Sequence, residues 1–174
     1  MPTLKTIAVE SVPSALEKAQ QYRRINEPNE AESICLDILA VVPDHQEAMK
    51  TLLLALTDKF TDYGLSPSFE QAEKIAAKLD TSHFKAYYSG IIYERRGKYH
   101  LKKGGPGANS LAYGWLAKAM ECFNQAMVEG DPKNQEAVLR WNSCARIINS
   151  NPNLHSDETN ERELLLDSFD TSHW

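Results

Sequence analysis

The stretch from residue 87 to residue 115 holds the side chains whose types and spacing come nearest to a known chemistry. It interleaves aromatic and basic residues, namely Tyr87, Tyr88, Tyr93, Arg95, Arg96, Lys98, Tyr99, Lys102, Lys103, Tyr113 and Trp115. Aromatic rings can stack on nucleobases while lysine and arginine neutralise phosphates. The alternative is that Tyr93 packs inside the fold and that the cations end a solvated helix, where they suit the negative end of the helix dipole. We favour this alternative, and we expect any function of the stretch to be protein docking.

A glycine-rich sequence follows two lysines at Lys102-Lys103-Gly104-Gly105-Pro106-Gly107. A phosphate-binding loop places its lysine after the glycines, at the start of a helix that follows a strand. Here the lysines come first and no strand is predicted before them. The sequence therefore indicates a loop that ends a helix.

The histidines and cysteines lack the spacing of a metal or catalytic site. The five histidines include no pair at i, i+4, and Cys35, Cys122 and Cys144 are far apart with no Cys-x-x-Cys. This spacing argues against a zinc site and against a disulfide framework. No motif anchors a Ser/His/Asp or Cys/His arrangement. We predict a protein that is not an enzyme and that uses no cofactor and no metal.

Composition limits the partners and the compartment. The net charge is -5, from 24 acidic and 19 basic residues, which argues against general nucleic-acid binding. The longest apolar run covers residues 52–56, far short of the roughly 20 residues that span a bilayer. The first ten residues lack the apolar run of a signal peptide. We therefore expect a cytoplasmic protein with no nucleic-acid and no membrane partner.

Proline, glycine and capping residues divide the chain into predicted helices, and no segment alternates with the period of a strand. An all-α fold with one helical domain at residues 11–149 is expected, after a lead-in at 1–10 and before an acidic tail at 150–174. Asn29 and Asp44 are the predicted N-caps of the second and third helices. The seven predicted spans are approximately 11–26, 29–42, 44–64, 66–79, 81–103, 109–130 and 132–148.

One phrase recurs along the chain, and recurrence is the first indication of a repeat architecture. A small residue is followed by a bulky one four positions on, then by a small or apolar one three further, and soon by proline. Alanine lets two helix backbones approach, and the bulky side chain fills the gap beside it. The two clearest copies are Ala119, Phe123, Ala126 and Pro132, and Ala31, Cys35, Ile38 and Pro43, with a looser copy at 69–79.

This pattern resembles the tetratricopeptide repeat, in which the first helix of each pair also carries a small residue three before an aromatic one. Ala19 with Tyr22, and Gly90 with Tyr93, match that feature. The resemblance implies antiparallel helix pairs stacked as a short right-handed solenoid of about three repeats, with a C-terminal capping helix. It also implies a concave wall lined by the first helix of each pair, where an extended peptide or protein segment binds.

The residues expected on this wall are a mixed and mildly basic set. Tyr87 and Arg95 are the expected anchors, because aromatic and arginine side chains dominate interface energetics. Leu16 and Gln20 stand where relatives that clamp a peptide carboxylate carry lysine and asparagine, so that use is not expected. The predicted partner-binding residues are Gln20, Arg23, Arg24, Lys50, Leu54, Tyr87, Ile91, Arg95, Leu139 and Arg146.

The favoured function is a non-enzymatic adaptor or scaffold that binds a peptide or protein segment. Two alternatives stay open: a three-repeat secretion-type chaperone for a client protein, and a regulatory subunit of an enzyme complex. Residues 155–174 carry a net charge of -5 and the apolar residues Leu164, Leu165, Leu166 and Phe169. An amphipathic helix at 157–169 is expected either to cap the last helix pair or to compete for the groove.

Overall fold

The computed structural model describes residues 1–156, and all the regular secondary structure in this range is helical. The prediction of an all-α fold is confirmed for these residues. The chain divides into two compact units, Met1–Asp80 and Thr81–Trp174. Two predicted features fall wholly or partly beyond residue 156, namely the acidic tail at 150–174 and the amphipathic helix at 157–169. The part of each from residue 157 onward lies outside the described residues.

The first unit opens with a short 3-10 turn, Val9–Ser11, and continues with five helices. These are α1 Val12–Arg24, α2 Pro28–Val41, α3 Gln46–Asp58, α4 Phe60–Tyr63 and α5 Ser68–Ala76. Helix α2 packs between α1 and α3, and α3 also packs against α5. The predicted packing face of α2 is confirmed, because Ala31, Cys35 and Ile38 are fully buried.

Three helix boundaries in the first unit differ from the prediction. Helix α2 begins at Pro28 rather than after an Asn29 cap, because proline has a suitable φ and needs no hydrogen-bond partner at the first position. Helix α3 is capped by His45, not Asp44: the imidazole Nδ1 accepts a hydrogen bond from the Ala48 N–H at 3.2 Å. The predicted third helix is two helices, α3 and α4, so the described residues hold eight helices rather than seven.

The second unit is built on three helices, α6 Ser82–Lys103, α7 Ala108–Glu129 and α8 Glu136–Ser150. Helix α7 packs along α6 on one side and along α8 on the other. Thr81 caps α6, since its hydroxyl accepts a hydrogen bond from the Phe84 N–H at 3.1 Å. The predicted end of α6 at the glycine-rich loop is confirmed, and all three glycines of this loop have positive φ.

Glycine sets the antiparallel register of α6 and α7. A Cβ atom on Gly90 would lie 2.5 Å from Phe123 Cε1, and one on Gly97 would lie 2.9 Å from Leu116 Cγ. Gly97 comes seven residues after Gly90, and Leu116 comes seven residues before Phe123, so the two helices run in opposite directions in constant register. Phe123 is 0% exposed, which confirms that the recurrent phrase marks a buried face.

The start of α8 corrects another predicted boundary. The helix begins at Glu136 rather than near Pro132. The Asp131 carboxylate accepts a hydrogen bond from the Lys133 N–H at 2.9 Å, and the Asn134 side chain accepts one from the Glu136 N–H at 3.0 Å. These local bonds hold the segment in turns that compete with helix.

Candidate functional site

A groove of about 410 Å³ lies on the surface of the second unit between α6 and α7. Residues spaced three or four apart on α6, including Ser82, Lys85 and Ser89, line one side, since such spacing puts side chains on one helix face. Lys118 and Gln125 line the other side from α7. The register imposed by the glycines of α6 brings these two faces together.

The groove offers cations, hydroxyl groups and an amide. Lys118 Nζ lies 4.3 Å from the ring centroid of Tyr93 and 4.9 Å from that of Trp115. Aromatic rings at this distance attract an ammonium group and restrict its position. Lys85 is exposed, and Glu121 is the acidic residue of the lining. A ligand with carboxylates and amide groups would find ion-pair and hydrogen-bond partners here.

The thiol of Cys122 also lines this groove. Burial raises its pKa above the ordinary value, although nearby Lys118 lowers it in part. A thiolate, not a thiol, is the nucleophile in cysteine chemistry. At neutral pH the side chain is therefore a small apolar group in the wall of the groove.

A buried ionic cluster joins α6 to α8. The carboxylate of Glu94 is 0% exposed, and Arg140 Nη1 lies 3.2 and 3.4 Å from its two oxygens. Lys98, one turn further along α6, also forms an ion pair with this carboxylate. A buried carboxylate with two cationic partners is compensated, and such a cluster fixes the positions of the helices that carry it.

Tyr87, one of the predicted partner-binding residues, contacts Arg140 of this cluster. Burial raises the pKa of its hydroxyl, and the hydrogen bond with Arg140 acts in the opposite direction. Burial would lower the pKa of Arg140, but Glu94 and Tyr87 raise it above its ordinary value. The guanidinium group therefore stays charged, and Tyr87 stays a neutral hydrogen-bond partner over the whole physiological pH range.

The predicted partner-binding residues of the first unit differ in accessibility. Arg24 is exposed, and Gln20 and Leu54 are half-buried. Arg23 forms an ion pair with Asp58 at 2.7 Å, and the buried Lys50 forms one with Glu47 at 2.8 Å. Arg23 and Lys50 thus have acidic partners within their own unit.

The predicted residues of the second unit also separate into buried and exposed groups. Ile91 is 1% exposed and Tyr87 is buried, so both side chains pack inside the protein. Arg95 is half-buried, Leu139 is 66% exposed, and Arg146 is exposed. None of the ten predicted residues lines the groove between α6 and α7. Partner binding by the set stays a prediction.

Sequence reasoning missed the lysines of the groove and the pairing of Glu94 with Arg140. Lys85 and Lys118 lie on helix faces that read in sequence as ordinary solvated surface. Glu94 and Arg140 are 46 residues apart along the chain. Spacing on a single helix shows neither which faces meet nor which charges are buried.

Within residues 1–156, no group of three or more His, Cys, Asp or Glu side chains could hold a metal ion. None of the helices described is long and apolar enough to cross a membrane. A scan against family models, a search of curated proteins and a search of solved structures found no match to this chain. Membership of the tetratricopeptide repeat family stays a prediction.

Proposed function

We propose that this protein is a non-enzymatic interaction module, an adaptor or scaffold, that holds an acidic peptide segment in the groove between α6 and α7. The observation that carries the proposal is the position of Lys118. Its ammonium group lies over two aromatic rings beside a groove that Lys85 lines from the opposite helix. A cation held in this way loses little side-chain freedom when it pairs with a carboxylate.

The dimensions of the groove define the ligand. Its lining extends along α6 from Ser82 to Tyr93. The eleven helical steps from the first to the last of these residues rise about 16 Å, the length of about five residues of extended peptide. Two acidic side chains can pair with Lys85 and Lys118, while Ser89 and Gln125 can bond to the peptide backbone. The expected ligand is a short extended segment with two acidic residues.

The same proposal includes a tetratricopeptide-like architecture. Consecutive long helices pack against one another within each unit, as helix pairs do in a repeat stack. The contact of Gly90 with Phe123 supports the proposal, because a small residue facing a bulky one is the feature on which the resemblance depends. In this architecture the wall predicted from the resemblance is a second candidate surface for the ligand.

A cytoplasmic location belongs to the proposal as well. Cys35, Cys122 and Cys144 are free thiols, which suits a reducing compartment. The net charge of -5 supports a protein partner rather than nucleic acid.

Selection from a random peptide library tests the function and locates the site. We expect enrichment of peptides with two acidic residues, whose affinity is then measured by fluorescence anisotropy. Lys85→Glu/Lys118→Glu should weaken binding at least about tenfold, equivalent to about 1.4 kcal/mol. Raised salt should also weaken it, because both lysines lie at the surface.

The matched control makes the same change of charge on the predicted wall. Arg24→Glu/Arg146→Glu reverses two exposed cations and should leave the affinity unchanged. If this control loses affinity and the groove variant retains it, the wall is the binding surface and the groove is not. If no peptide is selected, or if both variants behave as the wild type, the proposal is wrong.

A further inference from the structure

A second groove, of about 370 Å³, lies between α7 and α8 and is mainly apolar. Tyr113, Ala117 and Met120 line it from α7, and Trp141, Ala145 and Ile148 line it from α8. All six side chains are half-buried. An apolar groove of this kind gains free energy when apolar side chains fill it and exclude water.

Trp141, one of the residues that line this groove, has a buried indole N–H group. The indole Nε1 of Trp141 is buried and makes no hydrogen bond with the residues that the structure describes. A buried donor without an acceptor costs about 1–3 kcal/mol. Because the Trp141 side chain lines the groove, its indole N–H resonance should respond to whatever occupies the groove.

The chain itself leads to one end of the groove. After α8 the Leu154 side chain is 5% exposed, and the Ser110 hydroxyl donates a hydrogen bond to the His155 carbonyl oxygen at 3.4 Å. Ser110 comes three residues before Tyr113 on α7, so it lies on the same side of the helix, one turn away. The described part of the chain therefore ends next to the groove.

We propose that this chain's own C-terminal segment occupies the groove between α7 and α8. Leu165, Leu166 and Phe169 have the spacing of one helix face and would supply the apolar side chains.

The reach of the segment fits this position. Leu165 is the ninth residue after Ser156, a span of about 14 Å as a helix and up to about 30 Å when extended. The groove runs along α7 from Tyr113 to Asn124, about 16 Å. Because the segment is tethered beside the groove, its effective concentration there is in the millimolar range, which favours it over a separate partner.

A spin label on the segment tests the proposal in the full-length protein. The label is attached at Ser168→Cys in a Cys122→Ala background, since Cys35 and Cys144 are buried. The readout is the indole N–H resonance of Trp141, assigned by its loss in Trp141→Phe. We expect the label to reduce the intensity of this resonance by more than half.

Three further variants show whether apolar packing in the groove causes the loss of intensity. Leu165→Asp/Phe169→Asp should restore the intensity, whereas Thr159→Asp/Thr171→Asp adds the same charges at polar positions and should not. Ala117→Glu, on the groove wall, should restore it as the first variant does. Unchanged helix content by circular dichroism in all variants confirms that each has folded.

Three results would overturn the proposal. The first is an intensity that the label does not reduce. The second is equal recovery with Leu165→Asp/Phe169→Asp and with Thr159→Asp/Thr171→Asp. The third comes from mixing isotope-labelled protein with separate spin-labelled protein: a loss of intensity at wild-type extent in that mixture would assign the groove to a second copy of the chain.

Discussion

The contact between Gly90 and Phe123 predicts that Gly90→Ala destabilises the wild-type protein but stabilises a variant that lacks the Phe123 ring. A Cβ atom at position 90 would lie 2.5, 2.7 and 3.0 Å from three atoms of the Phe123 ring. Carbon atoms in contact normally lie about 3.5–4.0 Å apart, so the ring would have to move by about 1 Å. Phe123 is fully buried and packs beside the ring of Tyr87, with the centroids 6.0 Å apart, so it has little room to move.

The expected magnitude follows from two opposing terms. Overpacking costs about 1–3 kcal/mol, whereas alanine favours helix over glycine by about 1 kcal/mol. Gly90→Ala should therefore lower the free energy of unfolding by up to about 2 kcal/mol. Phe123→Ala alone should lower it by about 3–5 kcal/mol through the cavity that it leaves. In the Phe123→Ala background the clash is absent, and Gly90→Ala should then stabilise the protein by about 0.5–1 kcal/mol.

Urea unfolding followed by circular dichroism measures all four members of this cycle. Phe123→Leu provides a milder background in which the cost of Gly90→Ala should also fall. Gly97→Ala is the matched control: its Cβ would lie 2.9 Å from Leu116 Cγ and 3.2 Å from the Ala112 carbonyl oxygen. Position 97 is two turns from position 90, so its cost should not depend on residue 123. If Gly90→Ala is equally destabilising in every background, the register of α6 and α7 is wrong.

The remaining predictions concern the buried charge, the thiols and the packed alanine. Glu94→Gln should lower the free energy of unfolding by about 3 kcal/mol because it leaves the half-buried Arg140 without a carboxylate, and adding Arg140→Met should recover part of that loss in urea melts; no recovery would argue against their pairing. Burial raises the pKa of the Cys35 and Cys144 thiols from 9.0 to about 12, so the unfolded chain loses these protons first as the pH rises. Stability should therefore fall between pH 9 and about 12, and alanine at both positions should flatten that fall; an unchanged pH profile would contradict this assignment. Ala126→Leu should cost about 1–3 kcal/mol by overpacking, whereas the same measurement on an exposed position of α7 should show no loss.

Local sequence determined the helical fold and several of its boundaries. Apolar spacing predicted helices because side chains three and four apart share a helix face, whatever the rest of the chain does. The Thr81 cap and the glycine-rich loop after Lys103 are likewise local, since each depends on a few consecutive residues. The burial of Phe123 followed from the recurrence of small and bulky residues.

Several helix boundaries depended on which of several competing local hydrogen bonds forms. Residue types alone do not predict which of these bonds is the most stable. Asn29 and Asp44 are good capping residues, yet Pro28 begins α2 and the His45 imidazole caps α3. The Asp131 side chain accepts a hydrogen bond from the Lys133 N–H, and this local bond belongs to the turn that precedes α8. The free energies of these alternatives differ by amounts comparable to a single hydrogen bond.

The tertiary structure decided which charges are buried and which surfaces are available. Ile91 was expected to contact a ligand but packs in the interior, and Glu94 is enclosed with an arginine 46 residues away in the chain. Lys85 and Lys118 line the same groove only because the glycines of α6 set its register against α7. The turn of a helix fixes which residues share a face, but the face that a neighbouring helix covers depends on packing between residues distant in sequence.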